Sequence, residues 1–111
     1  MGIINLTPHP LNIVDTNGEI RNFPKPDAEV VLPRVAQTTV EAGQVDGITE
    51  YISSYGEPQD VPFNDGNVYV VSRLVIAACA EHGVDHSHLR SPGRLLRDDE
   101  GKIIGAEGLA R

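Results

Sequence analysis

The stretch Asn67–Gly83, NVYVVSRLVIAACAEHG, constrains the fold of this chain most, because it predicts a strand that runs directly into a helix. Val68–Val71 is a β-branched and aromatic run of the kind found in strands. Ser72 is a favourable helix N-cap, and Gly83 suits the left-handed position that ends a helix. Between them, Leu74–Ala80 is an unbroken apolar run. We therefore predict a buried helix over about residues 72–82, with the rest of the chain packed around it.

Turn signals divide the remaining sequence into short strands. Asn17-Gly18 is a strong hairpin turn, because both residue types tolerate positive φ. Three hairpins are predicted, which pair Leu11–Val14 with Glu19–Phe23, Val35–Val40 with Ile48–Tyr55, and Arg94–Arg97 with Lys102–Gly105. Val84–Gly93 is predicted to be an irregular connector. Residues 1–111 are thus predicted to form a single α+β domain, in which a small, mostly antiparallel sheet of short strands and hairpins packs on one buried helix.

Composition indicates a protein of a reducing compartment. The chain has one cysteine among 111 residues, which excludes an internal disulfide. The N-terminus lacks the basic and then apolar pattern of a signal peptide. The longest apolar run is far shorter than the ~20 residues that a membrane span requires. We expect a cytoplasmic protein that does not insert into membranes.

The charge of the chain is negative and unevenly distributed. The net charge is −7, and Val35–Ser72 contains no lysine or arginine. Direct nucleic-acid binding through a basic face is therefore not expected. The acidic stretch is open to two interpretations, a solvated surface or a protein-binding region that blocks a basic surface or imitates nucleic acid. The acidic residues of this region are Glu41, Asp46, Glu50, Glu57, Asp60 and Asp65.

The start of the predicted helix is a candidate anion site. Unpaired amides and the helix dipole favour a phosphate or carboxylate there, near Ser72 and Arg73. Arg90, Arg94 and Arg97 follow in the sequence, and guanidinium groups bind phosphate with paired donors. The alternative is that Ser72 only caps the helix and that the arginines pair with Asp85, Asp98, Asp99 and Glu100.

Asn5, Thr7 and His9 form a second candidate group, because they alternate in a segment restrained by two prolines. A rigid segment of this kind can present polar groups to a ligand with little ordering cost. His9 could also exchange a proton near neutral pH. The alternative is an exposed N-terminal arm without a ligand.

Four residues, Cys79, His82, His86 and His88, have side chains that bind zinc. Their spacing matches no established zinc pattern, and a cysteine on an apolar helix is usually a core residue. The sequence also lacks the Gly-x-Ser-x-Gly elbow, the P-loop and the dinucleotide fingerprint. We expect neither a cofactor nor catalysis, and a small hydrolase or metal-dependent enzyme is the third hypothesis.

Four segments resemble a group of small uncharacterised proteins of bacteriophage and prophage genomes. They are Asn5–Pro10 (NLTPHP), Val68–Ser72 (VYVVS), Ser91–Gly93 and Leu96–Gly105, which ends in an Arg-Asp-x-x-Gly-x-Ile-x-Gly pattern. The likeness follows the chain in order outside Glu41–Asn67. The resemblance implies a viral accessory protein, and small acidic phage proteins often antagonise host defence by binding a defence protein or by sequestering a nucleotide signal.

These observations give a ranked set of hypotheses. The first is a phage-type host-defence antagonist that sequesters a nucleotide-like anion. The second is a protein–protein inhibitor that uses the acidic region 41–65 against a host protein. Because a 111-residue domain rarely encloses such a ligand alone, the first hypothesis predicts a homo-oligomer. Its predicted ligand-binding residues are Asn5, Thr7, His9, Ser72, Arg73, Arg90, Arg94 and Arg97.

Overall fold

The computed structural model describes residues 2–111, which form eight β-strands and one α-helix. In chain order these are β1 (Ile3–Asn5), β2 (Leu11–Val14), β3 (Ile20–Phe23), β4 (Gln37–Val45), β5 (Ile48–Tyr55), β6 (Val68–Val70), α1 (Arg73–His82), β7 (Leu89–Arg97) and β8 (Ile103–Ala110). Six strands form one sheet in the order β1-β6-β7-β8-β2-β3, and β4 pairs with β5 in a separate hairpin. Within the described residues, no helix is long and apolar enough to cross a membrane.

The large sheet is mixed, and the prediction of a mostly antiparallel sheet is wrong for it. The pairings β1–β6, β6–β7 and β2–β8 are parallel, whereas β2–β3 and β7–β8 are antiparallel. Parallel neighbours require a long crossover, and α1 supplies one between β6 and β7. The protein is therefore mostly β, with one short helix and a nearly closed, barrel-like sheet.

The three predicted hairpins are confirmed, with changes in their extent. The β2–β3 ladder runs from Leu11↔Phe23 to Val14↔Ile20. The second, β4–β5, reaches Val45↔Ile48, so that only Asp46 and Gly47 remain in the turn, both at positive φ. The third, β7–β8, is longer than predicted. β7 begins at Leu89, so the second half of the predicted connector is a strand that carries the parallel pairing with β6.

The helix has the predicted bounds but packs on one side only. Gly83 has a φ of 69° and its N–H bonds to the Cys79 carbonyl, as a left-handed C-terminal cap does. Ser72 has extended backbone geometry at the N-cap, but its side chain makes no capping hydrogen bond. Cys79 is fully buried and packs with Leu89 in the core, whereas His82 is exposed. The prediction that the chain wraps around the helix is therefore wrong. The helix is apolar in part because it contains alanines, and their small side chains do not need to be deeply buried.

Asn5 links the two edges of the six-stranded sheet. Its side-chain amide, at the end of β1, lies 3.3 Å from the Phe23 carbonyl oxygen at the end of β3 and 3.2 Å from that of Pro24. It also donates to the His9 carbonyl oxygen at 2.8 Å. These contacts, which we call the Asn5 bridge, replace the ladder that a closed barrel would form between β1 and β3.

Candidate functional site

The predicted N-terminal ligand group is engaged in holding the fold. Asn5 and Thr7 are both buried. The Asn5 Oδ1 atom accepts the Thr7 N–H at 2.9 Å and the Thr7 hydroxyl at 2.7 Å. His9 contributes its backbone carbonyl to this network and is itself exposed. The polar atoms that were predicted to contact a ligand therefore bond to each other and to the β3 edge.

The predicted arginines lie apart along β7. Arg90 pairs in register with Val70, and Arg97 lies seven positions further along the chain, or about 23 Å along a strand. The guanidinium of Arg90 donates to the Ser87 carbonyl at 2.7 Å, and that of Arg97 donates to the Gly101 carbonyl at 2.9 Å. A single small anion cannot reach both groups.

Two further predicted arginines are exposed. Arg94 lies 3.5 Å from Glu107 on the neighbouring strand β8, an acidic partner that the alternative prediction did not include. Arg73 is exposed at the first position of α1. Neither belongs to a cleft together with Arg90.

Four of the eight predicted anion-binding residues line clefts, and these clefts are three separate ones. Thr7 and Ser72 line one cleft of about 330 Å³ at the start of α1. His9 lines a second, between β2 and β8. Arg90 lines a third of about 370 Å³, which it shares with Arg111 and His86. The structure therefore does not gather the eight residues into one pocket.

The cysteine and histidine group does not form a metal centre. No cluster of three or more potential ligands occurs among residues 2–111. Burial of Cys79 in the core raises the pKa of its thiol. His82 Nε2 lies 2.8 Å from the Tyr55 carbonyl oxygen. His88 is buried, and its Nε2 atom lies 2.6 Å from the Pro62 carbonyl oxygen. Both histidines therefore contact the backbone of neighbouring segments.

His86 completes this group, and its environment is similar. Its Nδ1 atom lies 3.0 Å from the Val84 carbonyl oxygen. Each of the three histidines thus has a ring nitrogen beside a backbone carbonyl, the arrangement of a histidine with a structural role.

The acidic region divides between the hairpin β4–β5 and the loop that follows it. Glu41, Asp46 and Glu50 are exposed on the hairpin. In the loop, Asp60 lies 3.6 Å from Arg34. The Tyr69 hydroxyl donates to Asp65 at 2.7 Å and lowers the pKa of that carboxyl. Glu57 is also exposed.

One face of the hairpin β4–β5 carries four large aliphatic side chains, which we call the apolar hairpin face. Val40 pairs with Ile52 and Val45 pairs with Ile48, so each pair shares a face. Their exposed fractions are 52% and 60% for the first pair, and 55% and 71% for the second. Exposed aliphatic residues concentrated in this way mark an interaction surface.

A β-bulge places both pairs on the same face. The register shifts between Glu41 and Gly43, so Ala42 is an extra residue in β4. Side chains alternate along a strand, and Val40 and Val45, five positions apart, would otherwise point to opposite faces. The alternation of Ile48 and Ile52 was visible in the sequence, but the bulge that aligns Val45 with them was not.

The hairpin projects from the rest of the protein. Its base is secured by the hydrogen bond from the Gly56 N–H to the Ala36 carbonyl at 2.7 Å, together with the contact between His82 and Tyr55. The radius of gyration is 16.7 Å, whereas a compact chain of this length has about 13 Å. Every residue of β4 is exposed, so both faces of the hairpin are accessible along most of its length.

Comparisons with known proteins do not identify a family for this chain. A scan against models of protein families, a search of curated proteins and a search of solved structures found no significant match. The resemblance to phage and prophage proteins therefore stays an expectation.

Proposed function

We propose that this chain is a small protein-binding module, which uses the hairpin β4–β5 to occupy an apolar partner surface that also carries a basic group. The observation that carries this proposal is the apolar hairpin face. The resemblance of the chain to phage and prophage proteins favours a host protein as the partner and inhibition of that protein as the outcome. This corresponds to the second hypothesis from the sequence, and it requires no bound cofactor.

The apolar hairpin face supports binding because the rest of residues 2–111 leaves its four aliphatic side chains exposed. Two-stranded hairpins are at best marginally stable in water. Nine residues in β4 and eight in β5 form this one, and most of them are exposed. Burying four aliphatic side chains against a partner would contribute a substantial hydrophobic term, since full burial of each contributes about 1.5–3 kcal/mol.

The charge of the hairpin indicates the chemistry of that partner. Glu41, Asp46 and Glu50 are its charged residues, and no lysine or arginine occurs from residue 35 to residue 72. Glu50 lies opposite Gly43, between the two aliphatic pairs and on the same face as both. Two copies stacked through this face would bring acidic groups together. A partner with a lysine or arginine within an apolar patch complements it instead.

The experiment compares retention of bacterial proteins by the wild type and by an Ile48→Thr/Ile52→Thr variant. Threonine keeps the β-branched shape that strands favour and removes much of the apolar surface. A Val31→Thr variant is the matched control, because Val31 is 63% exposed and lies outside the hairpin. We expect a protein that is retained by the wild type and the control but not by the double variant.

The retained protein is then purified, and its affinity is measured at several salt concentrations. We expect Glu50→Lys to weaken binding, and this loss to shrink as salt screens the charges. Equal affinity of the wild type and the Ile48→Thr/Ile52→Thr variant for the purified protein would overturn the proposal. Circular dichroism of each variant checks that the fold is retained.

Sequestration of a nucleotide-like anion is the second candidate function. The cleft between α1 and the end of β8 favours it, because Arg90, Arg111 and His86 line about 370 Å³ there. Native mass spectrometry of protein purified from its host tests this candidate and reports the oligomeric state. A released phosphate-containing mass that is absent from Arg90→Gln supports it. Protein that carries no such mass contradicts it.

A further inference from the structure

A cleft that we call the edge cleft lies at the gap between β1 and β3 and is lined also by residues of β2 and β8. Its volume is about 460 Å³, within the range typical of small-molecule sites. The Asn5 bridge closes one end of the gap. Open ends of barrel-like sheets are common ligand sites, because side chains from several strands converge there. Its apolar lining comprises Ile3, Ile13, Val14, Phe23 and Leu109.

Arg21 lies on the wall of this cleft at an unusual position. It pairs with Ile13, and Phe23 pairs with Leu11, so Arg21 shares its sheet face with Phe23 and with the buried Ile13. Its guanidinium lies 5.4 Å from the centroid of the Phe23 ring. Within residues 2–111, Arg21 forms no salt bridge, so its positive charge remains available at a mainly apolar opening.

The two carboxylates that line the edge cleft are already engaged. Asp15 Oδ1 accepts the N–H groups of Asn17 and Glu19, at 2.9 and 3.0 Å, which fixes it in the β2–β3 turn. Glu107 lies 3.5 Å from Arg94, which faces it across the β7–β8 ladder. The cleft thus offers one unpaired guanidinium, and a multiply charged anion would meet the field of both carboxylates.

We infer that the edge cleft binds small amphipathic monocarboxylates, with the carboxylate on Arg21 and the apolar body against Ile13 and Leu109. A guanidinium fork matches the two oxygens of a carboxylate, and no salt bridge within residues 2–111 occupies that of Arg21. The apolar walls accept an alkyl or aryl group. This site is separate from the hairpin β4–β5 and does not depend on the function proposed for it.

The test uses octanoate and 1-octanol, which differ only in the head group, with binding followed by amide chemical shifts of the full chain. We expect octanoate to bind at least about tenfold more tightly than octanol, the usual effect of one charge-assisted hydrogen-bonded pair. The shifts should concentrate at Ile3, Ile13 and Leu109. Arg21→Gln should remove the preference for octanoate. Lys102→Gln, which removes one charge from an exposed turn, should leave it unchanged.

Leu109→Trp provides a second test, because the larger side chain fills the cleft and should weaken both probes. Should Arg21→Gln fail to give a dispersed spectrum, Arg21→Lys keeps the charge and should retain a reduced preference for octanoate. Equal affinity of octanoate and octanol for the wild type, or shifts confined to other surfaces, would overturn the inference. So would self-association of Arg21→Gln with unchanged octanoate binding, which would identify Arg21 as a charge that protects the sheet edge.

Discussion

Replacement of Asn5 by alanine tests whether the Asn5 bridge holds the barrel-like sheet together. The two N–H groups of its amide serve three carbonyl oxygens within 3.3 Å, and Oδ1 accepts two donors from Thr7. At least four hydrogen bonds are therefore lost, each with a net contribution of about 1 kcal/mol. We expect Asn5→Ala to lower the free energy of unfolding by about 3–5 kcal/mol, a large part of the ~5–15 kcal/mol typical of a domain.

Urea denaturation measures this loss, and two variants calibrate it. Asn22→Ala removes the exposed hydrogen bond to Asn12 and should cost less than about 0.5 kcal/mol. Thr7→Val removes only the hydroxyl of the network and should cost about 1 kcal/mol. If Asn5→Ala and Asn22→Ala unfold at the same urea concentration with equal slopes, the Asn5 bridge does not hold the sheet together.

Three further predictions concern single residues. Gly93→Ala should destabilise the protein by about 1–3 kcal/mol in urea denaturation, because a Cβ there would overlap the Glu107 carbonyl oxygen across the β7–β8 ladder. Cys79 should not react with a thiol reagent such as DTNB until the protein unfolds, because it is fully buried and its thiol pKa is raised. Tyr69→Phe should raise the pKa of Asp65 in an NMR titration. The hydroxyl lowers that pKa in the folded state, so the stabilisation it gives exists above the ordinary carboxyl pKa and is lost as the pH falls through the lowered value.

Much of the local structure could be predicted from the sequence. Ser72 and Gly83 predict the helix bounds because the backbone at helix ends has strong residue preferences. Asn17-Gly18 predicts the β2–β3 turn for a similar reason. The parallel pairings could not be predicted in this way. Which strands become neighbours across a crossover depends on the packing of the whole sheet, and hydrophobic alternation carries no information about it.

The site could be predicted only in part. The negative charge of the Glu41–Asp65 region was evident, but the apolar hairpin face depends on a bulge at Ala42, a residue with no distinctive bulge signal. Asn5 and Thr7 looked like ligand-binding residues because buried structural amides and hydroxyls are the same residue types that contact ligands. The position of Arg21 in the edge cleft could not be predicted, since an arginine in a strand is expected to face solvent until its register with Ile13 is known.

Hydrogen–deuterium exchange of the hairpin, free and with its purified partner, tests the central proposal most directly. In the free protein, we expect the amides of β4 and β5 to exchange faster than those of β7, because a projecting two-stranded hairpin opens readily. With the partner present, exchange should slow in β4 and β5 and stay unchanged at Ile3 and Arg21 in the edge cleft. Protection confined to the six-stranded sheet, with β4 and β5 unaffected, would contradict the account of the hairpin as the binding element.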